Sequence, residues 1–225
     1  MNHNHSAGFY HDRILPWLNS RLFTFFLKKP EVLQMDYVVN GMKRLYHHLA
    51  PAYDEKTTSL GLDLYSEPLR YALNDLVSSP SKILDLCAGT GISTLILAGL
   101  FPASEIAAMD LSPDMLNEAK KKALAQEQKI TFIEADARNI LFSDNEFDLL
   151  VSCNAPIYAK EMTRVLKPSG TLLIIWTLAG ESLKQKKEIE KLFSGLPVGN
   201  LNVEKVGKAL VIKGEKEERH HNGYS

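Results

Sequence analysis

From Lys82 onward the chain alternates short, nearly continuous apolar runs with longer amphipathic stretches. The runs are KILDLC (82–87), EIAAMD (105–110), ITFI (130–133), FDLLVSC (147–153) and TLLIIW (171–176). A strand that is apolar on both faces must be covered on both faces. Five such runs separated by helical segments therefore predict an α/β fold built on a doubly wound, mostly parallel sheet. A further pair, NVEKVG (202–207) and KALVIKG (208–214), is joined so tightly around Gly207 that only antiparallel pairing is open to it. The tail EKEERHHNGYS (215–225) is polar and is expected to fray.

The front of the chain has a different texture. ILPWLNSRLFTFFL (14–27) places Trp17, Leu18, Leu22, Phe25 and Phe26 at helical spacing, flanked by Arg13, Arg21, Lys28 and Lys29. It is too short to span a bilayer and is followed by Lys28-Lys29-Pro30 rather than by a small-residue cleavage site. The first expectation is a helix packed on the body. The alternative is a cover over an apolar substrate, or peripheral membrane contact through residues 13–29 on anionic lipid. Pro30 then opens a helix expected over Glu31–Leu49, with Val32, Leu33, Val39, Met42, Leu45 and Tyr46 inward. After the polar stretch Tyr53–Thr58, Ser66 offers an N-cap to a helix whose stripe is Leu69, Leu73, Leu76 and Val77. These divisions predict an N-terminal helical extension (1–50), a catalytic or binding body (51–214) and the tail.

At 225 residues one domain is the natural reading, and a net charge of −1 builds no broad positive field, so no nucleic-acid partner is expected. Cys87 and Cys153 both fall inside apolar runs, which speaks against a disulfide framework or a thiolate metal site and for a reducing, cytoplasmic setting. All seven histidines lie at the ends, with none between Leu49 and Arg219. Triad chemistry and imidazole-ligated metals are thereby disfavoured in the body.

In a parallel sheet, ligands collect at the carboxyl ends of the strands. The first run ends in Asp85-Leu86-Cys87-Ala88-Gly89-Thr90-Gly91, where Gly89 and Gly91 allow a tight turn and a close backbone approach to a ligand. A nicotinamide-binding turn wants a third glycine where Thr94 stands. The second run ends in Asp110, whose carboxylate suits the two hydroxyls of a ribose, while Ser112 and Pro113 begin the next helix and leave Asp110 available. The third runs into Glu134-Ala135-Asp136-Ala137, where Asp136 suits an adenine amino group.

Taken together, DLCAGTG, AAMDLSPDML, IEADA, FSDNEFDLLVS and EMTRVLKPSGTLLI, in this order and spacing, resemble the class I S-adenosylmethionine-dependent methyltransferases from about Lys82 to Trp176. The resemblance implies a seven-stranded Rossmann-like sheet with an antiparallel final hairpin, S-adenosylmethionine as cofactor, and a small-molecule methyl acceptor. It implies that Asp85 and the turn Cys87, Ala88, Gly89, Thr90 and Gly91 serve the methionine end. By the same carry-over Asp110 with Leu111 and Met115 holds the ribose side, Asp136 and Ala137 frame adenine, and Asn154 borders the cofactor. The segment from Ala50 is similar to that of the ubiquinone and menaquinone biosynthesis enzymes, whose Tyr-Asp pair, here Tyr53-Asp54, helps close over the cofactor. Asn154-Ala155-Pro156-Ile157-Tyr158 departs from that pattern by leading almost directly into the next helix, which shortens the substrate edge. NAPIY is also similar to the Asn-Pro-Pro-Tyr motif of amino-methylating relatives, with a different residue order.

Methyl transfer from an activated sulfonium rests largely on positioning, worth up to about 7–11 kcal/mol. No catalytic base is assigned. The candidates are Tyr53, Tyr158, Glu161 and the acceptor's own acidity. A non-catalytic cofactor-binding module is the second reading, and modification of protein or RNA a third that the charge balance disfavours.

Overall fold

Alternate residues of each apolar run face opposite sides of one sheet, and that alternation sorts the core into two layers. The computed structural model describes residues 15–55, 63–124, 130–177 and 185–218. The strands are β1 (Lys82–Leu86), β2 (Glu105–Asp110), β3 (Ile130–Glu134), β4 (Phe147–Cys153), β5 (Leu166–Thr177), β6 (Val198–Val206) and β7 (Ala209–Lys216). They form one sheet in the order β3-β2-β1-β4-β5-β7-β6. The pairs from β3 to β5 are parallel, and β7 runs antiparallel to both β5 and β6. Seven strands and an antiparallel final hairpin are as expected.

The helices are α1 (Leu15–Lys28), α2 (Asp36–Leu49), α3 (Asp63–Asn74), α4 (Ile92–Leu100), α5 (Pro113–Leu124), α6 (Ala159–Val165) and α7 (Lys186–Phe193). On one face Ile83, Leu149, Val151, Leu173 and Ile175 bury against Leu69 and Leu73 of α3 and Leu97 of α4. On the other, Leu84, Leu150, Leu172, Ile174 and Trp176 meet Phe23 and Leu27 of α1, Met162 of α6 and Ile189 of α7. Because β1 leaves in one direction to β2 and receives β4 on its other side, the strand order reverses there, and the crevice at the carboxyl ends of β1 and β4 opens at that point.

Several local expectations are corrected. Residues 31–49 do not form one helix: Pro30–Gln34 is a 3-10 turn, and Met35 is extended before α2 restarts. The break is fixed from outside, since the Gln34 carbonyl accepts a hydrogen bond from Arg138 Nη1 at 3.1 Å. Leu45 is consequently exposed, and the inward stripe of α2 is Val39, Met42 and Tyr46. Ser66 lies inside α3 rather than capping it, and Val77 is fully exposed because the helix stops at Asn74. Strand β7 continues to Lys216, past the expected boundary at 214. The Lys216 ammonium, mostly buried, donates to the carbonyls of Arg164 (3.1 Å) and Leu166 (2.7 Å) and to Asn145 Oδ1 (2.8 Å), closing the end of α6. The expected fraying concerns residues 219–225, which lie outside the described set.

Helix α1 packs on the body, as the first reading expected. Phe23 is 1% and Leu27 4% exposed, the Phe23 ring stacks on Trp176 at 4.2 Å, and Gln185 Nε2 donates to Thr24 Oγ1 at 2.8 Å. The side chains of Trp17, Leu18 and Leu22 lie outside the described set, as does Arg13. Among the described residues no helix is long and apolar enough to cross a membrane.

The joint between β1 and α4 sets the whole crevice. Asp85 is fully buried behind the glycine turn, and its Oδ2 accepts from Ser93 Oγ (2.8 Å) and Thr94 Oγ1 (2.5 Å) in the first turn of α4. Burial pushes its carboxyl up to about 6, against those two hydroxyls, which favour the charge. Gly91 sits at φ +79, and a Cβ there would lie 2.7 Å from Cβ of Ala119 in α5. The missing side chain thus lets α5 close against the turn; it does not make room for a ligand, as the sequence reading had it.

Two outcomes follow from the joint. Gly91→Ala should destabilise the protein by about 2 kcal/mol or more in urea unfolding, from left-handed strain plus overlap. Adding Ala119→Gly should recover the overlap part and leave the strain. For Asp85 the folded pKa stands above the unfolded one, so the folded state binds the extra proton and loses stability as pH rises from about 4 to 6. The stability of wild type relative to Asp85→Asn should therefore fall by up to about 3 kcal/mol between pH 4 and 6.5, read from unfolding at each pH; a difference that does not vary with pH would mean that Asp85 ionises as an ordinary carboxyl.

Candidate functional site

The site starts where β1 and β4 end. Cys87 (φ 59) and Asn154 (φ 53), the residues at those two tips, both adopt the left-handed conformation, which costs a non-glycine residue about 1–2 kcal/mol. Surrounding bonds hold them there. Asn154 N–H donates to the Ile175 carbonyl at 2.8 Å, and its Oδ1 accepts from the Thr177 amide at 2.7 Å and hydroxyl at 3.0 Å. After Cys87, Ala88 N–H donates to the Met109 carbonyl at 3.0 Å, so the turn is pinned to β2. Both chains bend away, and between them opens a cavity partly continuous with solvent.

Asp110 organises its centre. Its Oδ2 accepts from the Gly89 amide and its Oδ1 from the Ser112 amide, each at 2.8 Å, so one carboxylate joins the turn after β1 to the turn after β2. Burial raises its pKa, opposed by those amides. Ser112 caps α5 as expected, its Oγ accepting from Met115 N–H at 3.4 Å. Asp110 is thus not as free as the sequence suggested, yet each of its oxygens keeps lone-pair capacity for a hydroxyl. Asp136 is clasped by Arg138, through the backbone amide (2.9 Å) and Nε (2.8 Å). Burial works against its charge, but the guanidinium and the amide outweigh it and hold the carboxyl below the usual range.

The roof is α2 and the turn that follows. Val39, Met42, Lys43, Tyr46 and Tyr53 face the cavity from above. Polar ties at the perimeter fasten this roof: Asp36 to Arg138 (2.7 Å), Lys43 to Glu134 (2.7 Å), and His47 to Asp114 (2.6 Å). Asp54 accepts from Thr90 Oγ1 in the glycine turn and from Lys122 of α5, both at 2.6 Å. The Tyr-Asp pair singled out in the sequence thus divides its work, with Tyr53 over the cavity and Asp54 latched to the turn.

Of the positions expected to bind cofactor, Tyr53, Cys87, Gly89, Asp110, Leu111, Met115, Asp136, Ala137 and Asn154 line the cavity. Asp85, Ala88, Thr90 and Gly91 lie behind the wall and shape it. The residues missed are those of α2, above all Lys43, and Pro156 at the opposite end. Tyr46 carried a signal, as an expected inward position whose hydroxyl needs a polar neighbourhood. Among the candidate bases, Glu161 turns away to Arg164 (2.8 and 2.9 Å) and the Ile140 amide (2.8 Å). Burial raises the phenol pKa of Tyr46, Tyr53 and Tyr158, so all three stay protonated near neutrality.

These features fit S-adenosylmethionine. Asp110 offers acceptors for vicinal hydroxyls, a Cβ at Gly89 would meet nothing within 4 Å, and the tyrosine rings can face a cation. Oδ1 of Asp85 is buried without a hydrogen-bond partner directly behind this turn. Among the described residues no cluster suited to a metal ion occurs.

Residues 83–170 match the family model described as a methyltransferase domain. A demethylmenaquinone methyltransferase of Thermus thermophilus is 35% identical over 140 residues, covering 58% of this chain and 63% of its own length. Its counterpart in Staphylococcus aureus is 30% identical over 143 residues, covering 60% and 59%. The chain thus spans about three fifths of the length of these curated relatives. Among solved structures, a candidate S-adenosyl-L-methionine-dependent methyltransferase from Methanococcus maripaludis superposes with a TM-score of 0.67 at 18% identity, over 76% of this chain and 94% of that one, a likeness of fold. With the strand order, the glycine turn and the acid at the second strand tip already in place, these matches make the α/β core over residues 83–170 similar to a methyltransferase domain.

Proposed function

We propose that this protein transfers a methyl group from S-adenosylmethionine to a small, apolar acceptor of the hydroxy-aromatic, quinol-like class. The observation that carries the reading is the joining of both strand-tip turns by the Asp110 carboxylate at the floor of an aromatic-roofed cavity. The bound cofactor would supply an already activated, electrophilic methyl group. Asp110 would hold the ribose hydroxyls and the Gly89 turn the methionine end, with Asp136, Ala137 and Met115 around the adenine. Tyr46 and Tyr53 exclude water from above.

Proton chemistry narrows the acceptor. Among the described residues lining the cavity there is no histidine, the three phenols are held neutral, and both carboxylates are already engaged. An aliphatic alcohol would find no strong base. A hydroxy-aromatic ring brings its own acidity, and its ionised form is nucleophilic. The similarity to demethylmenaquinone methyltransferases supports the same class.

Calorimetric titration should show binding of S-adenosylmethionine and of its demethylated product. Asp110→Ala should weaken both by about tenfold to a hundredfold, the value of one charge-assisted hydrogen bond. No heat from the wild-type protein would overturn the reading. With hydroxy-aromatic acceptors of graded acidity, kcat/KM should rise with pH until the acceptor's own pKa is reached, and the break should move with the acceptor. Tyr158→Phe should retain the rate to within about threefold. A break that stays fixed across acceptors would instead reveal a base in the protein.

A further inference from the structure

The segment NAPIY after β4 has no part in the cradle proposed for the cofactor, yet its first residue is held in a definite way. Asn154 stands at φ 53, a backbone conformation that glycine adopts more readily. Its amide N–H is fastened to the Ile175 carbonyl, and its Oδ1 accepts twice from Thr177, from the amide at 2.7 Å and from the hydroxyl at 3.0 Å. A backbone N–H can only donate, so the atom facing it must be the oxygen of the side-chain amide. The amide cannot flip, and Nδ2 lies on the edge that points away from the Thr177 amide. Among the described residues nothing accepts a hydrogen bond from Nδ2, and half-buried Asn154 lines the cavity.

The surroundings give this end of the cavity one polarity. Cys153, Ala155, Pro156 and Tyr158 line it beside Asn154. Burial keeps the Cys153 thiol and the Tyr158 phenol protonated. Both lone pairs of Asn154 Oδ1 are taken by Thr177. What these side chains offer a ligand is therefore mainly hydrogen to donate, and the matching group is one that accepts. A ring-conjugated amine has its lone pair drawn into the ring and presents N–H donors, which would meet donors here. NAPIY is similar to a motif of amino-methylating relatives, but the bonding of Asn154 points the other way.

We infer that Asn154 selects the heteroatom of the methyl acceptor: Nδ2–H donates to an oxygen of the acceptor, while the Thr177 clasp on Oδ1 denies the same place to an amino group. The inference rests on the proposed methyl transfer and adds which residue reads the acceptor, and by what bond. The same N–H, set against an aromatic hydroxyl, favours its ionised form in a cavity whose described lining holds no histidine.

Two small rings of opposite polarity test it on the full-length protein saturated with demethylated cofactor. In nitrogen-15-labelled protein the Asn154 side-chain amide signals are assigned by their loss in Asn154→Asp. Titration with 1-tetralone, whose one polar atom is a carbonyl oxygen, should shift those signals to saturation. By calorimetry, 1-naphthylamine should bind about tenfold more weakly than 1-tetralone. Asn154→Asp keeps an oxygen toward Thr177 and sets a second where Nδ2 stood, and both residues tolerate the left-handed backbone. In that variant the order of the two rings should reverse. Absence of the shift with 1-tetralone, equal affinities in the wild type, an unchanged order in the variant, or no binding of either ring would overturn the inference and leave the proposed function standing. Failure of the wild type to bind demethylated cofactor would remove the proposed function and the inference with it. If Asn154→Asp does not melt cooperatively, Asn154→Ser supplies the assignment and the wild-type measurements decide alone.

Discussion

A single buried carboxylate ties the crevice together. Asp110 holds the Gly89 amide with one oxygen and the Ser112 amide with the other, so the turns that follow β1 and β2 cannot separate without breaking a charge-assisted bond. The rest of the wall depends on that tie. Gly89 stands between Cys87, bent into the left-handed region, and Gly91, against which α5 closes; Ser112 begins α5 itself. A group that is expensive to bury is tolerated because it is hydrogen-bonded on both oxygens, and it can still receive a ligand.

Behind this wall the fold repeats the same solution in apolar surroundings. Asp85, fully buried, binds two hydroxyls at the start of α4 and leaves one oxygen unpaired. The Asp110 charge adds to burial in raising the pKa of Asp85. Strand tips that must present polar groups to a ligand thus accumulate electrostatic cost, and the two left-handed residues add conformational cost. The large apolar layers on either side of the sheet offset both.

What could be read from the chain alone follows from how local each signal is. The five parallel strands were legible because doubly buried strands write themselves as continuous apolar runs, and the glycine turn and Asp110 because they fall at the ends of those runs. Glu161 stood among several unassigned candidate bases, and Arg164, one helical turn on, was a readable partner for it. The break at Met35 and the role of α2 were not legible. They depend on Arg138 reaching Gln34 and on Lys43 meeting Glu134, residues about a hundred positions apart that no local pattern connects. Val77 was placed inward by periodicity continued past the true end of α3.

The fastening of α2 separates two requirements that one scaffold usually has to reconcile. Its perimeter ties are exposed ion pairs, each worth little and weakened by salt, whereas the strand tips beneath are embedded in the core. A lineage of such chains can therefore remodel this roof without disturbing the packing of the strand tips beneath it. Evolvability here is a matter of geography: the roof and the strand tips are held by different kinds of interaction.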